Sequence, residues 1–335
     1  MARATLVAVK LHQLRYLVAI AESDLNITAA AKKLHTSQPG VSQQIKLLEA
    51  ELGFDFFVRE GRALTAPTPA GAQVIARATH IMREIGNIRG LAAELREDLS
   101  GSLSIATTHT QARYILPQVI QKFRSSFPKV NLHLHQGTSE QIADLARTDR
   151  VDFSIATGSG ELFPDLVRLP CFRWNRVIMV PRDHPLAALA KAKLTLKQLA
   201  EYPIITYTFS FSGTSSLLDV FARAGLTPEV ALTARDADVI KTYVRLGMGV
   251  GIVAGVAYEP DADSDLVVID ASHLFASHTT WLGFQRGTLL RRFMYEFIEM
   301  LAPHLSKRVV RAAEVLETQA DVDQLVADID VPLRG

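Results

Sequence analysis

Residues 29–49 read Ala29-Ala30-Ala31-Lys32-Lys33-Leu34-His35-Thr36-Ser37-Gln38-Pro39-Gly40-Val41-Ser42-Gln43-Gln44-Ile45-Lys46-Leu47-Leu48-Glu49. A helix opened by the N-cap Asn26 ends near Leu34, and after the break His35-Thr36-Ser37 a second helix begins. Pro39 falls in its first turn, where a missing N–H costs nothing. At about 100° per residue, Val41, Ile45 and Leu48 share one face, while Pro39, Ser42, Gln43 and Lys46 lie nearly opposite. A short Ala-packed helix, a tight turn and a helix with Ser, Gln and Lys outward describe a helix-turn-helix. Its outward side chains suit the major groove, since Gln pairs with adenine edges and Lys reaches guanine or phosphate. An ordinary helical hairpin with a solvated face fits the periodicity as well.

Before this stretch, Leu11, Leu14, Leu17, Val18 and Ala21 line one face of a helix over residues 11–22. After it, Glu60-Gly61 marks a hairpin that, with the preceding helix in a major groove, would set Arg59 and Arg62 beside the adjoining backbone or minor groove, and Phe56 and Phe57 read as core rather than as DNA-stacking residues. Thr68 then caps a long helix with Pro69 at its first position. Along it Val74, Ala78, Ile81, Ile85, Ile88, Ala92 and Leu95 recur at spacings of four and three, a continuous a/d seam that calls for a partner helix. A helix packed only on its own domain is the alternative. Gly86 and Gly90 lower helix propensity and permit bending.

From Ser102 to about Pro303, short β-branched runs alternate with helical stretches, the pattern of an α/β domain with parallel strands. Strand ends there carry hydroxyls: Leu103–Ala106 leads into Thr107, Thr108, Thr110 and Gln111, the run 151–156 delivers Thr157, and 204–207 leads through Thr208 to Ser212. In an open α/β sheet the carboxyl ends of strands line the ligand crevice, and hydroxyl donors at a helix N-terminus suit an oxyanion. A Thr before a helix is also an ordinary cap, and Asp236 and Asp238 are expected to cap the next helix.

Composition sets bounds. The 335 residues suffice for two or three domains, and 36 Lys plus Arg against 35 Asp plus Glu leave a net charge of +1. Bulk charge therefore gives no argument for nucleic acid, and DNA binding must rest on a local surface. The single cysteine, Cys171, excludes an internal disulfide and a cysteine-based zinc site and fits a reducing compartment. The longest apolar stretch, 247–257, is too short to span a bilayer, and the N-terminal patch is too brief for a secretory signal, so a cytoplasmic protein is expected. A hydrolase using Cys171 lacks a recognisable base, His133 and His135 lack a third metal ligand, and Gly247-Met248-Gly249-Val250-Gly251 follows a helix rather than a strand. No enzyme, no metal and no cofactor is expected. A pure solute-binding protein would have no use for the helix-turn-helix.

The residues become more specific than the geometry. Ala29-Ala30, Leu34, the run 36–45, Leu48-Glu49, Leu52-Gly53, Phe56-Phe57, Arg59, Leu64-Thr65 and Thr68-Pro69-Ala70-Gly71 together resemble LysR-type transcriptional regulators. Downstream, 105–114, 132–137, 169–171, 174–176 and 236–247 resemble the branch that controls sulfur assimilation and cysteine biosynthesis, over residues 10–303 in all. Regulators of sulfonate or other sulfur-source genes would look much the same. The N-terminal extension and the tail depart from the pattern.

The resemblance implies a multidomain fold. An all-α winged helix-turn-helix domain would span 10–67, a linker and dimerisation helix 68–97, and an α/β effector domain of the periplasmic-binding-protein-like type 2 class 102–303, with a tail over 304–335. Its subdomain I would take 102–170 and 275–303, and subdomain II 171–274. Implied partners are double-stranded promoter DNA, a second copy in a dimer of dimers, and RNA polymerase. Thr36, Ser37, Gln38, Pro39, Ser42, Gln43 and Lys46 would meet DNA on the recognition helix, with Arg59 and Arg62 on the wing. The implied effector is sulfate, thiosulfate or an acetylated serine. Thr108, Thr110, Gln111, Thr157 and Ser212 would supply oxyanion donors, and Trp174 an apolar wall.

Overall fold

The computed structural model describes residues 9–61, 63–96, 99–148, 150–158, 160–189, 193–211 and 217–335. The chain divides into two compact units, Met1–Glu97 and Asp98–Gly335.

The first unit carries helices α1 (Leu11–Ala21), α2 (Ile27–Lys33) and α3 (Gln38–Leu52). The Asn26 side chain accepts the Ala29 N–H at 3.0 Å, and Ser37 Oγ accepts the Gly40 N–H at 3.3 Å, so both expected helix starts are capped. The turn between α2 and α3 is tight enough to hold His35 in the left-handed region at φ 51°. Leu17, Ile20, Ala30, Val41, Ile45, Leu48, Phe56 and Phe57 are fully buried in one cluster, which places the two phenylalanines in the core. Strands β1 (Phe57–Glu60) and β2 (Ala63–Pro67) pair antiparallel as the wing, a β-hairpin on an otherwise helical head.

Helix α4 (Pro69–Leu95) starts at Thr68, whose hydroxyl accepts the Gly71 N–H at 2.9 Å. A side chain at position 71 would collide with the Phe56 carbonyl, so Gly71 lets α4 press directly on the head. The seam divides here. Val74 and Ala78 belong to the head's core, while Ile81, Ile88 and Leu95 are 41%, 66% and 78% exposed.

The second unit contains two five-stranded sheets. Its elements are β3 (Gly101–Thr107), α5 (Leu116–Ser126), β4 (Val130–Gln136), α6 (Ser139–Arg147), β5 (Phe153–Thr157), β6 (Leu166–Trp174), β7 (Arg176–Pro181), α7 (Leu196–Leu199), β8 (Ile204–Tyr207), α8 (Leu217–Arg223), β9 (Val230–Ala234), α9 (Ala237–Arg245), β10 (Val250–Ala254), β11 (Leu266–Asp270), β12 (His278–Gln285), α10 (Arg292–Leu301), α11 (Lys307–Glu314) and α12 (Gln319–Leu325). The first sheet runs β4-β3-β5-β12-β6 and the second β11-β7-β10-β8-β9. Parallel pairing is confined to β3 with β4 and β5, and to β8 with β9 and β10; β7, β11 and β12 pair antiparallel. The expected parallel pairing thus holds in each sheet's βαβ core, and the strands that carry the chain between subdomains add antiparallel pairs.

Two boundaries differ from expectation. The chain leaves the first sheet at Asn175, not after Pro170, so Cys171 and Trp174 stay in β6. An apolar run cannot reveal which of two sheets holds it. The segment 304–335 is no separate tail, because Leu305, Val310, Ala313 and Val322 lie fully buried in the effector core. Its end also adds to β6: the Arg173 N–H bonds Pro332 O and the Arg334 N–H bonds Arg173 O, each at 2.8 Å. Helices of eight and seven residues are too short to display a clear apolar period. No helix among the described residues is long and apolar enough to cross a membrane.

Candidate DNA-reading face and ligand cleft

On α3, Gln38, Pro39, Gln43 and Lys46 are exposed, Ser42 is half-buried, and Thr36 lies exposed just before the helix. These side chains form one free polar flank, because the opposite face is spent on Val41, Ile45 and Leu48. Gln44 points back to α1, where its Oε1 lies 3.0 Å from His12 Nε2 and 3.3 Å from Gln13 Nε2. Ser37 is committed to capping, which leaves its neighbouring backbone N–H groups at the helix start. Arg59 has a partner within the head. Its Nη2 donates to Glu49 Oε2 at 2.8 Å, and the same carboxylate accepts the Phe56 N–H at 2.9 Å. Arg59 therefore pins the wing to α3. Arg62 lies outside the described residues.

The strand ends of the first sheet converge on one hydrogen-bonded group. Thr108 Oγ1 donates to Gln111 Oε1, and Gln111 Nε2 reaches Thr157 Oγ1 and Thr280 Oγ1, each at 3.4 Å. Thr157 and Thr280 share a hydrogen bond of 2.7 Å, and the Trp174 indole N–H donates to Thr157 at 3.2 Å. Thr157 accepts from both Gln111 and Trp174, so its own proton goes to Thr280, and the Thr280 proton is left to donate. The two Gln111 contacts are longer than ordinary N–H···O bonds, which makes this amide the donor most easily diverted to a ligand.

The second subdomain holds a buried charge that acts on His278 and Tyr207. Arg176 starts β7 and is only 3% exposed. Its Nη1 donates to Ser210 Oγ at 2.8 Å, and Ser210 is tied in turn to Thr206 at 3.4 Å. No carboxylate among the described residues pairs with it, and burial pulls its pKa down to about 10. The His278 ring stacks on Trp174 with centroids 4.5 Å apart, and burial together with Arg176 lowers its pKa to about 4. A buried guanidinium bonded to a hydroxyl, with no carboxylate partner among the described residues, is chemistry for an anion. Cys171 offers no competing nucleophile: it is buried beside the Leu169 carbonyl, and burial pushes its thiol up to about 12.

Residues 11–72 match the bacterial regulatory helix-turn-helix protein, lysR family, and residues 96–306 match the LysR substrate binding domain. This chain belongs to the LysR family. As a LysR-type protein it is a DNA-binding transcriptional regulator and not an enzyme. It is 47% identical over 325 residues to the HTH-type transcriptional regulator CysB of Haemophilus influenzae, covering 97% of this chain and 100% of that one. It is 46% identical over 295 residues to the HTH-type transcriptional regulator SsuR of Burkholderia cenocepacia, covering 88% and 95%. Among solved structures, the cofactor-binding domain of the Cbl transcriptional regulator superposes with a TM-score of 0.60 at 44% identity, covering 65% of this chain and 96% of that one.

Within the LysR-type effector unit, Thr108, Gln111, Thr157 and Trp174 come together, with the Trp174 indole N–H as a hydrogen-bond donor. Thr110 instead lies by the Tyr207 hydroxyl of the second subdomain and helps to lower its pKa against the larger effect of burial. Ser212 lies outside the described residues, and the nearby hydroxyl on Arg176 is Ser210. Sequence reasoning passed over Arg176, His278 and Thr280. Arg176 stands in the quoted 174–176 motif, and Thr280 lies in the segment assigned to subdomain I, so both carried a signal. Asp236 does cap α9, accepting the Val239 N–H at 2.8 Å, whereas Asp238 accepts the Tyr114 hydroxyl at 2.7 Å. His109, Asp236 and Asp238 place ligand atoms within 4.8 Å of one another, but both carboxylates are engaged by those protein contacts.

Proposed function

We propose that this LysR-type regulator controls genes of sulfur assimilation and cysteine biosynthesis. In this reading it binds double-stranded promoter DNA as a dimer of dimers and contacts RNA polymerase there. Its effector is a small anionic sulfur-pathway metabolite held in the cleft: sulfate, thiosulfate or acetylserine. The observation that supports the reading best is Arg176, buried with the Ser210 hydroxyl as its one side-chain partner among the described residues, in a unit whose first sheet gathers Gln111, Thr157 and Thr280. An anion offsets the cost of that charge, and Gln111 and Thr280 have donors to turn toward its oxygens. The likeness to CysB carries the pathway. A ligand that binds one arrangement of the protein more tightly shifts its balance between promoter-bound states.

A second reading has its own support. The likeness to SsuR, at 46% identity, is nearly as high as that to CysB, so control of sulfonate or alternative sulfur-source genes fits too. Thermal melts of the full-length protein with sulfate, thiosulfate, acetylserines and sulfonate-pathway intermediates separate the two, with chloride as the ionic control. A specific ligand at about 100 times its Kd stabilises by about 2.7 kcal/mol, a shift of several degrees. Shifts no larger than those in chloride for every anion would overturn the ligand reading.

A further inference from the structure

The turn after β3 does more than present Gln111. Arg113 donates to the Glu259 carboxylate through Nη1 at 3.3 Å and Nη2 at 2.9 Å. Tyr114 donates its hydroxyl proton to Asp238 Oδ1 at 2.7 Å, and His109 Nε2 lies 3.2 Å from Asp238 Oδ2. The donors belong to the first subdomain and the carboxylates to the second. Gln111 and the two strongest bridging side chains share one π-helical turn, Gln111–Ile115, a form of backbone frequent at functional sites.

The receiving side is held by its own buried network. Asp263, 1% exposed, accepts the Glu259 N–H at 2.9 Å, Lys241 Nζ at 3.0 Å and Arg245 Nη2 at 2.9 Å. Lys241, 3% exposed, also donates to the Ala257 carbonyl at 3.1 Å and lies 3.8 Å from Asp238 and 5.0 Å from the centre of the Tyr114 ring. Asp238 and Glu259 are thus fixed to one block built from α9 and the segment after β10. The turn with Gln111 meets that block through Arg113, Tyr114 and His109.

We infer that Arg113, Tyr114 and His109 form a clasp between the two subdomains that positions Gln111 for the ligand. They are positioning residues; none takes part in the hydrogen-bonded group around Thr157. The inference rests on reading the cleft as a ligand site, and it makes the clasp and the ligand partners in one equilibrium. Binding energy gained by Gln111 is available only when the turn is docked, so a broken clasp weakens binding. The Arg113–Glu259 pair is half exposed and contributes modestly alone, whereas the Tyr114–Asp238 bond has an ionised acceptor and is the stronger of the two. Loss of either should reduce sulfate affinity roughly five- to tenfold.

The test uses the full-length protein spin-labelled at Lys122→Cys and Lys197→Cys, exposed positions on the two subdomains, diluted with unlabelled protein to suppress distances between copies. Cys171 is buried and takes no label. Without ligand, the wild type should give one narrow distance distribution. Arg113→Glu and Glu259→Arg should each broaden it, and the double variant should restore it. Tyr114→Phe, which keeps the ring and removes only the hydroxyl, should broaden it without loss of fold. Sulfate affinity should follow the same order, with rescue in the double variant. Unchanged distributions in the single variants, or no rescue by the charge swap, would overturn the clasp. A wild type that takes up no sulfate, thiosulfate or acetylserine would instead sink the ligand reading, and the ligand-free distances would still decide the clasp.

Discussion

The guanidinium of Arg176 donates to the Ser210 hydroxyl at 2.8 Å and has no carboxylate partner among the described residues. A charge kept in the interior on such terms is a cost to the ligand-free fold. Arg176→Met should therefore leave the anion-free protein as stable as the wild type, or more stable by about 1–4 kcal/mol. The same variant should lose the sulfate-dependent rise in Tm. Melting curves with and without sulfate check both halves. A variant that melts far below the wild type in the absence of anion would make Arg176 a structural residue.

His278 links the same cleft to pH. Burial and the charge of Arg176 hold its pKa near 4, below the ordinary value of 6.5. The folded pKa is depressed, so the unfolded chain binds the proton more readily between those two values. This contribution to stability is complete above pH 6.5 and is lost as pH falls toward 4, by at most about 1.4 kcal/mol per pH unit. His278→Asn should show a shallower loss of Tm between pH 7 and pH 5. An anion beside Arg176 raises the His278 pKa, so binding should take up a proton and tighten as pH falls. Calorimetry in two buffers of different ionisation enthalpy measures that uptake; none at pH 5.5 would exclude His278 from the site.

What the sequence made legible follows from what kind of information each residue carries. The helix-turn-helix was readable because Asn26, Ser37 and the Val41–Ile45–Leu48 face are local signals, and the caps and burial match them. Thr157 and Gln111 stand at strand ends, where position alone suggests a crevice. Arg176 was not readable in the same way, because its significance is its burial with no carboxylate partner among the described residues, and that is a property of the packed interior. Thr280 returns to Thr157 from 123 residues away, along a strand that pairs antiparallel between β5 and β6. The Arg59–Glu49 pair joins the wing to α3 across ten residues, and no local pattern in the sequence announces it.

That last pairing gives opposite expectations for two basic residues of the head. Lys46→Ala and Gln43→Ala change exposed side chains on α3, so both should weaken promoter binding and leave thermal stability and ligand affinity near wild type. Lys46→Ala should also flatten the salt dependence of binding if it meets a phosphate. Arg59→Ala leaves the 6%-exposed Glu49 carboxylate with only the Phe56 N–H, and should destabilise the head by about 1–3 kcal/mol. Denaturation of the full-length protein, followed beside a gel-shift titration, tells the two classes apart. Equal stability for Arg59→Ala and Lys46→Ala would show that the wing is held by other contacts.

Helix α4 offers the sharpest separation between folding and assembly. Its apolar seam serves the head at Val74 and Ala78, then runs on through Ile81, Ile88 and Leu95 as an exposed stripe. Burying such a stripe in a second copy removes several large apolar side chains from water, each contributing about 1.5–3 kcal/mol. Ile88→Glu with Leu95→Glu should therefore dissociate the oligomer, seen by sedimentation, while the melting of a head that never touched those residues stays unchanged. Ala78→Leu should do the reverse, overpacking the head at a cost of about 1–3 kcal/mol and leaving the exposed stripe intact. An oligomer that survives both glutamates would place the contact between copies away from this helix.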